Sequence, residues 1–145
     1  MAAIALAKLN QLIIPELLWL QICSHADEKL PEEACGLLAG KDQRVQEVIP
    51  IPNILHSPVR YRMDPTDQLR AFQRIEDGGL DLAGIFHSHP LGPDCPSDTD
   101  IAEAYYPESV YVILFPYVTT GWKARGFIIN ALAVNEIPLI ITMGI

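Results

Sequence analysis

The stretch Gly84-Ile85-Phe86-His87-Ser88-His89-Pro90 holds the residue types best suited to chemistry. Two histidines at i and i+2 on a strand face the same way, with Cα atoms roughly 6.6 Å apart at the usual rise per residue. Zinc–imidazole bonds are about 2.0–2.1 Å, so both rings can converge on one ion from that face. Ser88 points the other way and need not touch a metal. Pro90 has no N–H for a sheet ladder, so it ends the strand and leaves the histidines at a C-terminal rim. Open α/β sheets keep their sites at such rims.

A third ligand is needed, and Asp100 is the best candidate. The loop Leu91 to Pro96, with its Gly and prolines, can fold back over the strand end. Two His and one carboxylate leave a fourth tetrahedral position open, which marks a catalytic zinc rather than a closed structural one. Such an ion can bring the pKa of water to about 7, but a base must still move the proton. No HExxH helix supplies that base. Glu33, just before Cys35-Gly36, could do so if its strand adjoins Leu82 to His89.

Each of these residues also has a plainer reading. Lone histidines such as His25 and His56 read as surface or satisfied core. Ser97 and Asp100, at i and i+3, satisfy a capping-box helix start that needs no chemistry. Glu33 taken alone is a solvated acid after a helix. His87 with His89 is different, because two imidazoles aimed at one point make a poor core.

The elements that must position these groups alternate between α and β. Pro15 to Leu30 reads as a helix, with Pro15 in its first turn, Pro31 stopping it, and Leu18, Ile22, Ala26 and Leu30 forming an apolar stripe. Strands follow at Gly36 to Ala39 and Val45 to Pro50, turned by Gly40-Lys41-Asp42. Pro52, Pro58 and Pro65 punctuate an irregular segment through Tyr61 and Met63. Asp64-Pro65-Thr66-Asp67 starts a helix with Leu69, Phe72 and Ile75 on its buried face and Gly78-Gly79 at its end. Leu82 to His89 is a strand, Asp98 to Tyr105 a short helix and Val110 to Phe115 a fully buried strand. Trp122 to Ile129, wet on the Lys123 and Arg125 side, and Ala133 to Thr142 complete a sheet; the apolar end from Ile137 to Ile145 reads as a buried strand.

The chain has 145 residues, half of them hydrophobic, with 10 Lys+Arg against 18 Asp+Glu and a formal net charge of −8. That is material for a single domain over residues 1–145 with a real core. An acidic balance is the reverse of what a phosphate-backbone binder needs, so nucleic acid is not expected as a partner. Cys23, Cys35 and Cys95 are an odd, widely spaced set, which implies no disulfide framework and a cytoplasmic setting. Met1 to Asn10 lacks a basic n-region, so no signal peptide is expected. No apolar run reaches the roughly 18–20 residues a bilayer span requires.

Taken together, these residues resemble the JAMM metalloprotease motif of the MPN domain family. That pattern is an upstream Glu, then His-x-His, seven residues, Ser, two residues and Asp. Pro90, Leu91, Gly92, Pro93, Asp94, Cys95 and Pro96 separate His89 from Ser97, and Asp98 and Thr99 precede Asp100. Glu33-Ala34-Cys35-Gly36-Leu37-Leu38-Ala39-Gly40 is similar to the family's opening, with one extra residue before the last Gly, and it selects Glu33 over Glu32. Asn53, Ser57-Pro58 and Asp64-Pro65 resemble the linking segment of compact bacterial members. The likeness runs from about Leu12 to Ile129.

The resemblance implies an α/β fold of the cytidine deaminase-like MPN (JAMM) type, a central mixed β-sheet flanked by helices. It implies a zinc metallopeptidase with His87, His89 and Asp100 as metal ligands, Glu33 as proton shuttle and Ser97 as donor to the oxyanion. The implied substrate is an amide after the C-terminal Gly-Gly of a ubiquitin-like or sulfur-carrier (ThiS/MoaD-like) protein. The short connector Phe115 to Gly121 makes selectivity for one ubiquitin-chain linkage unexpected. A deaminase is disfavoured, because that signature needs His-x-Glu and Pro-Cys-x-x-Cys, whereas His89 and Asp98 stand at the decisive positions. A non-catalytic scaffold of the same fold and a zinc amidase for small amides remain open, as does Cys95 as bystander, oxidisable switch or adventitious ligand.

Overall fold

The computed structural model describes residues 10–118 and 121–143; the leaderless reading of Met1 to Asn10 thus falls almost wholly outside the described residues. Among the described residues, three helices, α1 (Glu16–Lys29), α2 (Pro65–Asp77) and α3 (Asp98–Ala102), interrupt eight strands. The strands are β1 (Leu12–Pro15), β2 (Cys35–Lys41), β3 (Arg44–Ile51), β4 (Asp81–Ser88), β5 (Val110–Tyr117), β6 (Gly121–Asn130), β7 (Ala133–Ile137) and β8 (Leu139–Thr142). They form one mixed sheet in the order β7-β6-β5-β4-β2-β3-β1-β8. The pairs β4–β5, β1–β3 and β1–β8 are parallel.

Alternation along the central strands gives the sheet two apolar faces. Ala34, Leu38, Phe86, Val110, Val112 and Leu114 pack on one face with Ile22 and Ala26 of α1. Cys35, Leu37, Ile85, Tyr111 and Ile113 pack on the other with Ala71 and Ile75 of α2. Gly36 is required where it pairs with Phe86, because a Cβ there would stand 2.4 Å from the Phe86 ring. Among the described residues, no helix is long and apolar enough to cross a membrane.

Several expectations are corrected. Leu30 is 50% exposed, since the chain leaves the helical region at the residue before Pro31. Leu69 is 69% exposed; it sits roughly 160° around the helix from Ala71 at 100° per residue, off the Ala71–Ile75 ridge. Helix α3 stops at Ala102 rather than Tyr105, and the Tyr106 N–H donates to the Tyr111 hydroxyl at 3.1 Å. The segment Ala133 to Thr142 is not one strand, nor is its apolar end buried. Pro138 cannot continue a ladder, so β7 pairs with β6 while β8 crosses to pair with β1. Ile140 and Ile141 are 39% and 37% exposed, and residues 144–145 lie outside the described residues. The two edge strands of the sheet, β7 and β8, are therefore joined through one residue, and Leu139 lies over Gly126, where a Cβ would meet it at 2.6 Å.

Candidate metal centre

Strand register assembles the site. Strand β2 runs antiparallel to β4 with Cys35 opposite His87. The ladder continues beyond it, since Ser88 N–H donates to Ala34 O at 2.9 Å and the Ser88 hydroxyl accepts from Ala34 N–H at 2.8 Å. Two residues further along each strand, Glu33 therefore comes level with His89, on the face that also carries His87. On the other side of β4, His89 N–H donates to Leu114 O at 2.7 Å. Ser88, on the opposite face, holds backbone instead of facing the histidines.

Helix α3 brings the third group. Ser97 caps it: its hydroxyl accepts from Asp100 N–H at 3.0 Å, while Ser97 N–H donates to Asp100 Oδ2 at 2.9 Å. The same Oδ2 lies 3.1 Å from the Nε2 atoms of both His87 and His89, which are 2.9 Å from each other. His89 Nδ1 lies 2.8 Å from Pro93 O; a carbonyl only accepts, so in the neutral ring the proton sits on Nδ1 and Nε2 presents a lone pair. Three acceptor atoms so close together repel one another unless a cation or protons lie between them. A tetrahedral zinc with bonds near 2.0–2.1 Å separates its ligand atoms by roughly 3.3 Å, so the triangle fits such an ion after a shift of a few tenths of an ångström. His87 Nδ1 is buried without a hydrogen-bond partner.

Glu33 completes the cluster. A carboxylate oxygen lies within 4.8 Å of ring nitrogens on both histidines. Glu33 is 3% exposed, and its Oε1 is buried with no partner. Its backbone is clamped, with N–H donating to Ser57 O at 2.8 Å and C=O accepting from Asn53 Nδ2 at 3.0 Å. Burial pushes the carboxyl up to about 8, with Asp100 adding to the rise and His89 opposing it. Asp100 behaves oppositely. Burial opposes its ionisation, but hydrogen bonds from His87 and His89 overcome that and hold it well below the usual carboxylate range. Burial lowers His87, whereas Asp100 and the Pro93 carbonyl outweigh burial and raise His89.

A family model described as prokaryotic homologs of the JAB domain matches residues 15–125. The chain belongs to this family. It is 43% identical over 120 residues to the probable TtuB-protein conjugate cleaving protease of Thermus thermophilus, covering 81% of this chain and 76% of that protein. It is 35% identical over 118 residues to the CysO-cysteine peptidase of Mycobacterium tuberculosis, covering 80% and 81%. A solution structure of a protein from Desulfitobacterium hafniense superposes with a TM-score of 0.81 at 31% identity, covering 92% of this chain and 94% of that one.

The JAB-domain site contains groups that the sequence reading gave no role. Tyr61 stacks on His87, ring centroids 4.5 Å apart and planes at 30°. Behind it lies a cavity of about 290 Å³ lined in part by Met63, Gln68, Ile85, Tyr106 and Tyr111. Asn53 uses all its side-chain valences, binding Glu33 O and Arg60 O through Nδ2 and the N–H groups of Leu55 and Arg62 through Oδ1. Its place between Pro52 and Pro58, in the segment that resembles the family's linking segment, is the signal that could have marked this hub. Glu32 is not in the cluster and pairs with His56 at the surface. His25 is buried against Phe86 on the α1 side of the sheet. Cys95 is exposed and outside the converging group.

Proposed function

We propose that this JAB-domain chain is a zinc metallopeptidase that hydrolyses the amide after the C-terminal Gly-Gly of a ubiquitin-like or sulfur-carrier protein. The observation that carries the reading is the triangle of two Nε2 atoms and one Oδ2, 2.9–3.1 Å on a side, with an unpartnered buried carboxyl beside it. His87, His89 and Asp100 would hold the ion. When bound there, zinc supplies Lewis acidity, lowering the pKa of water and polarising a carbonyl.

The chain's own residues do the rest. Glu33 accepts the proton of the attacking water on its carboxylate and returns it to the departing amine nitrogen. Its apolar surroundings, which favour the protonated carboxyl, suit the return step. Ser97 accepts from Asp100 N–H through one lone pair, which leaves its O–H to donate to the oxyanion as the carbonyl becomes tetrahedral. Asp100 stays ionised throughout. Two relatives named for cleaving TtuB–protein conjugates and CysO–cysteine support a carrier-protein substrate with a variable leaving group.

The test is zinc content together with hydrolysis of a carrier protein bearing a C-terminal Gly-Gly amide, for wild type, Glu33→Gln and His87→Ala. Both variants should lose activity, and only His87→Ala should also lose zinc. Undiminished hydrolysis by both would remove the reading. Cleavage of small amides without recognition of any carrier would shift it to an amidase, and tight carrier binding by a metal-free, inactive protein would shift it to a scaffold.

A further inference from the structure

The loop from Pro90 to Pro96 carries the carbonyl that orients His89, yet it has few anchors. Apart from the Pro93 carbonyl contact with His89 itself, one side chain from outside the loop holds its tip among the described residues. Arg125 Nη1 donates to Asp94 O at 3.3 Å and pairs with Asp94 Oδ2 at 3.1 Å. The other two nitrogens of the same guanidinium grip Glu136, Nε to Oε2 at 2.9 Å and Nη2 to Oε1 at 2.7 Å. Glu136 stands on β7 opposite Phe127 of β6, a diagonal neighbour of Arg125. The guanidinium is thus fixed in plane by a fork on one side and presents its remaining nitrogen to the loop. Asp94 adjoins Pro93, whose carbonyl is 2.8 Å from His89 Nδ1.

Ion pairs this exposed contribute little to global stability. What the arrangement provides is direction, because Arg has a planar fork that can hold a carboxylate and a carbonyl at once, and Lys has not. We infer that Arg125, braced by Glu136, is a positioning residue that holds the Asp94–Pro93 peptide in place so that His89 keeps its proton on Nδ1 and turns Nε2 toward the metal position. Outer partners of metal-binding histidines fix tautomer and ring orientation, and their loss weakens metal affinity about 10–100-fold. Arg125 acts one step further out, so about tenfold is expected.

The inference rests on the zinc reading above, and the experiment separates the two. The side-chain 15N shifts of His89 are recorded by NMR in metal-free protein at a pH high enough for the ring to be neutral, and the zinc Kd is measured by chelator competition. Both are compared for wild type, Arg125→Gln, Glu136→Gln and Lys123→Gln. Wild type should show the Nδ1-protonated form; Arg125→Gln should show a mixture of tautomers and bind zinc about tenfold more weakly, with Glu136→Gln in between. Lys123→Gln removes a neighbouring charge on β6 and should change neither reading. A folded Arg125→Gln protein with wild-type shifts and wild-type Kd overturns the inference. If Arg125→Gln does not fold, Glu136→Gln, which keeps Arg125 but removes its brace, decides on the same two readings. Failure of wild type to bind zinc removes the proposed function and leaves the tautomer comparison to decide on Arg125.

Discussion

Two helices of this molecule begin with a capping side chain and the same Thr-Asp pair two residues on, and end up with different work. Helix α2 starts Asp64-Pro65-Thr66-Asp67 and helix α3 starts Ser97-Asp98-Thr99-Asp100. In α2, Asp64 accepts from the N–H groups of Thr66 and Asp67 at 2.9 and 3.1 Å, and Asp67 faces Arg70 at the surface. In α3, Ser97 and Asp100 satisfy each other's backbone, but Asp100 also meets two imidazoles. Local sequence sets the helix start in both cases. The difference is the rim of β4, over which only α3 begins: there, the bond that stabilises the helix also aims a ligand.

Breaking the third position of each helix should give the largest contrast. Asp100→Ala should weaken zinc binding by more than about 100-fold and abolish hydrolysis, whereas Asp67→Ala should leave both intact and shift stability by less than about 0.5 kcal/mol. Zinc titration and turnover of the carrier amide check the pair. Exchanging the caps sharpens the contrast further. Ser97→Ala and Asp64→Ala should each lose about 1 kcal/mol in chemical denaturation. Only Ser97→Ala should also lower kcat, by about 100-fold, as expected for a missing oxyanion donor.

Metal removal should act on the α3 side alone. Chelation should lower the Tm of wild type by several degrees and leave His87→Ala unmoved, because a ligand bound only to the folded state adds stability by mass action. The last effect concerns Glu33 in the metal-free protein. Its folded pKa of about 8 lies above its ordinary value of 4.5, so between those values the native state holds a proton that the unfolded chain has released. Stability then falls as pH rises through that window. Glu33→Gln removes the effect, so its Tm should exceed that of metal-free wild type by a few degrees at pH 8 and by almost nothing at pH 4. Equal differences at both values would refute the burial account.

The histidine pair was legible because spacing of two on a strand and a following proline are geometric facts about any chain. Glu33 was legible only conditionally, on β2 lying beside β4, and the register of Cys35 with His87 meets that condition. Partners that act through backbone were invisible: the Pro93 and Ser57 carbonyls have no residue-type signature. Tyr61 against His87 and Arg125 against Asp94 join positions 26 and 31 residues apart, and no local period links them. The apolar end of the chain misled for a related reason. A run such as Leu139-Ile140-Ile141 reads as core by composition, but Pro138 places it at a margin of the sheet with Ile140 and Ile141 partly in water.

That proline has a mechanical corollary. Residues 133–142 work as a single hasp that latches the two borders of the sheet to each other. The bend before it, Ala131-Leu132, has both residues at positive φ, 48° and 74°. A nick at this bend frees the hasp from its hinge. It is then held only by its ladders to β6 and β1, and its departure would bare two rows of amide groups to any neighbouring molecule with a strand to offer.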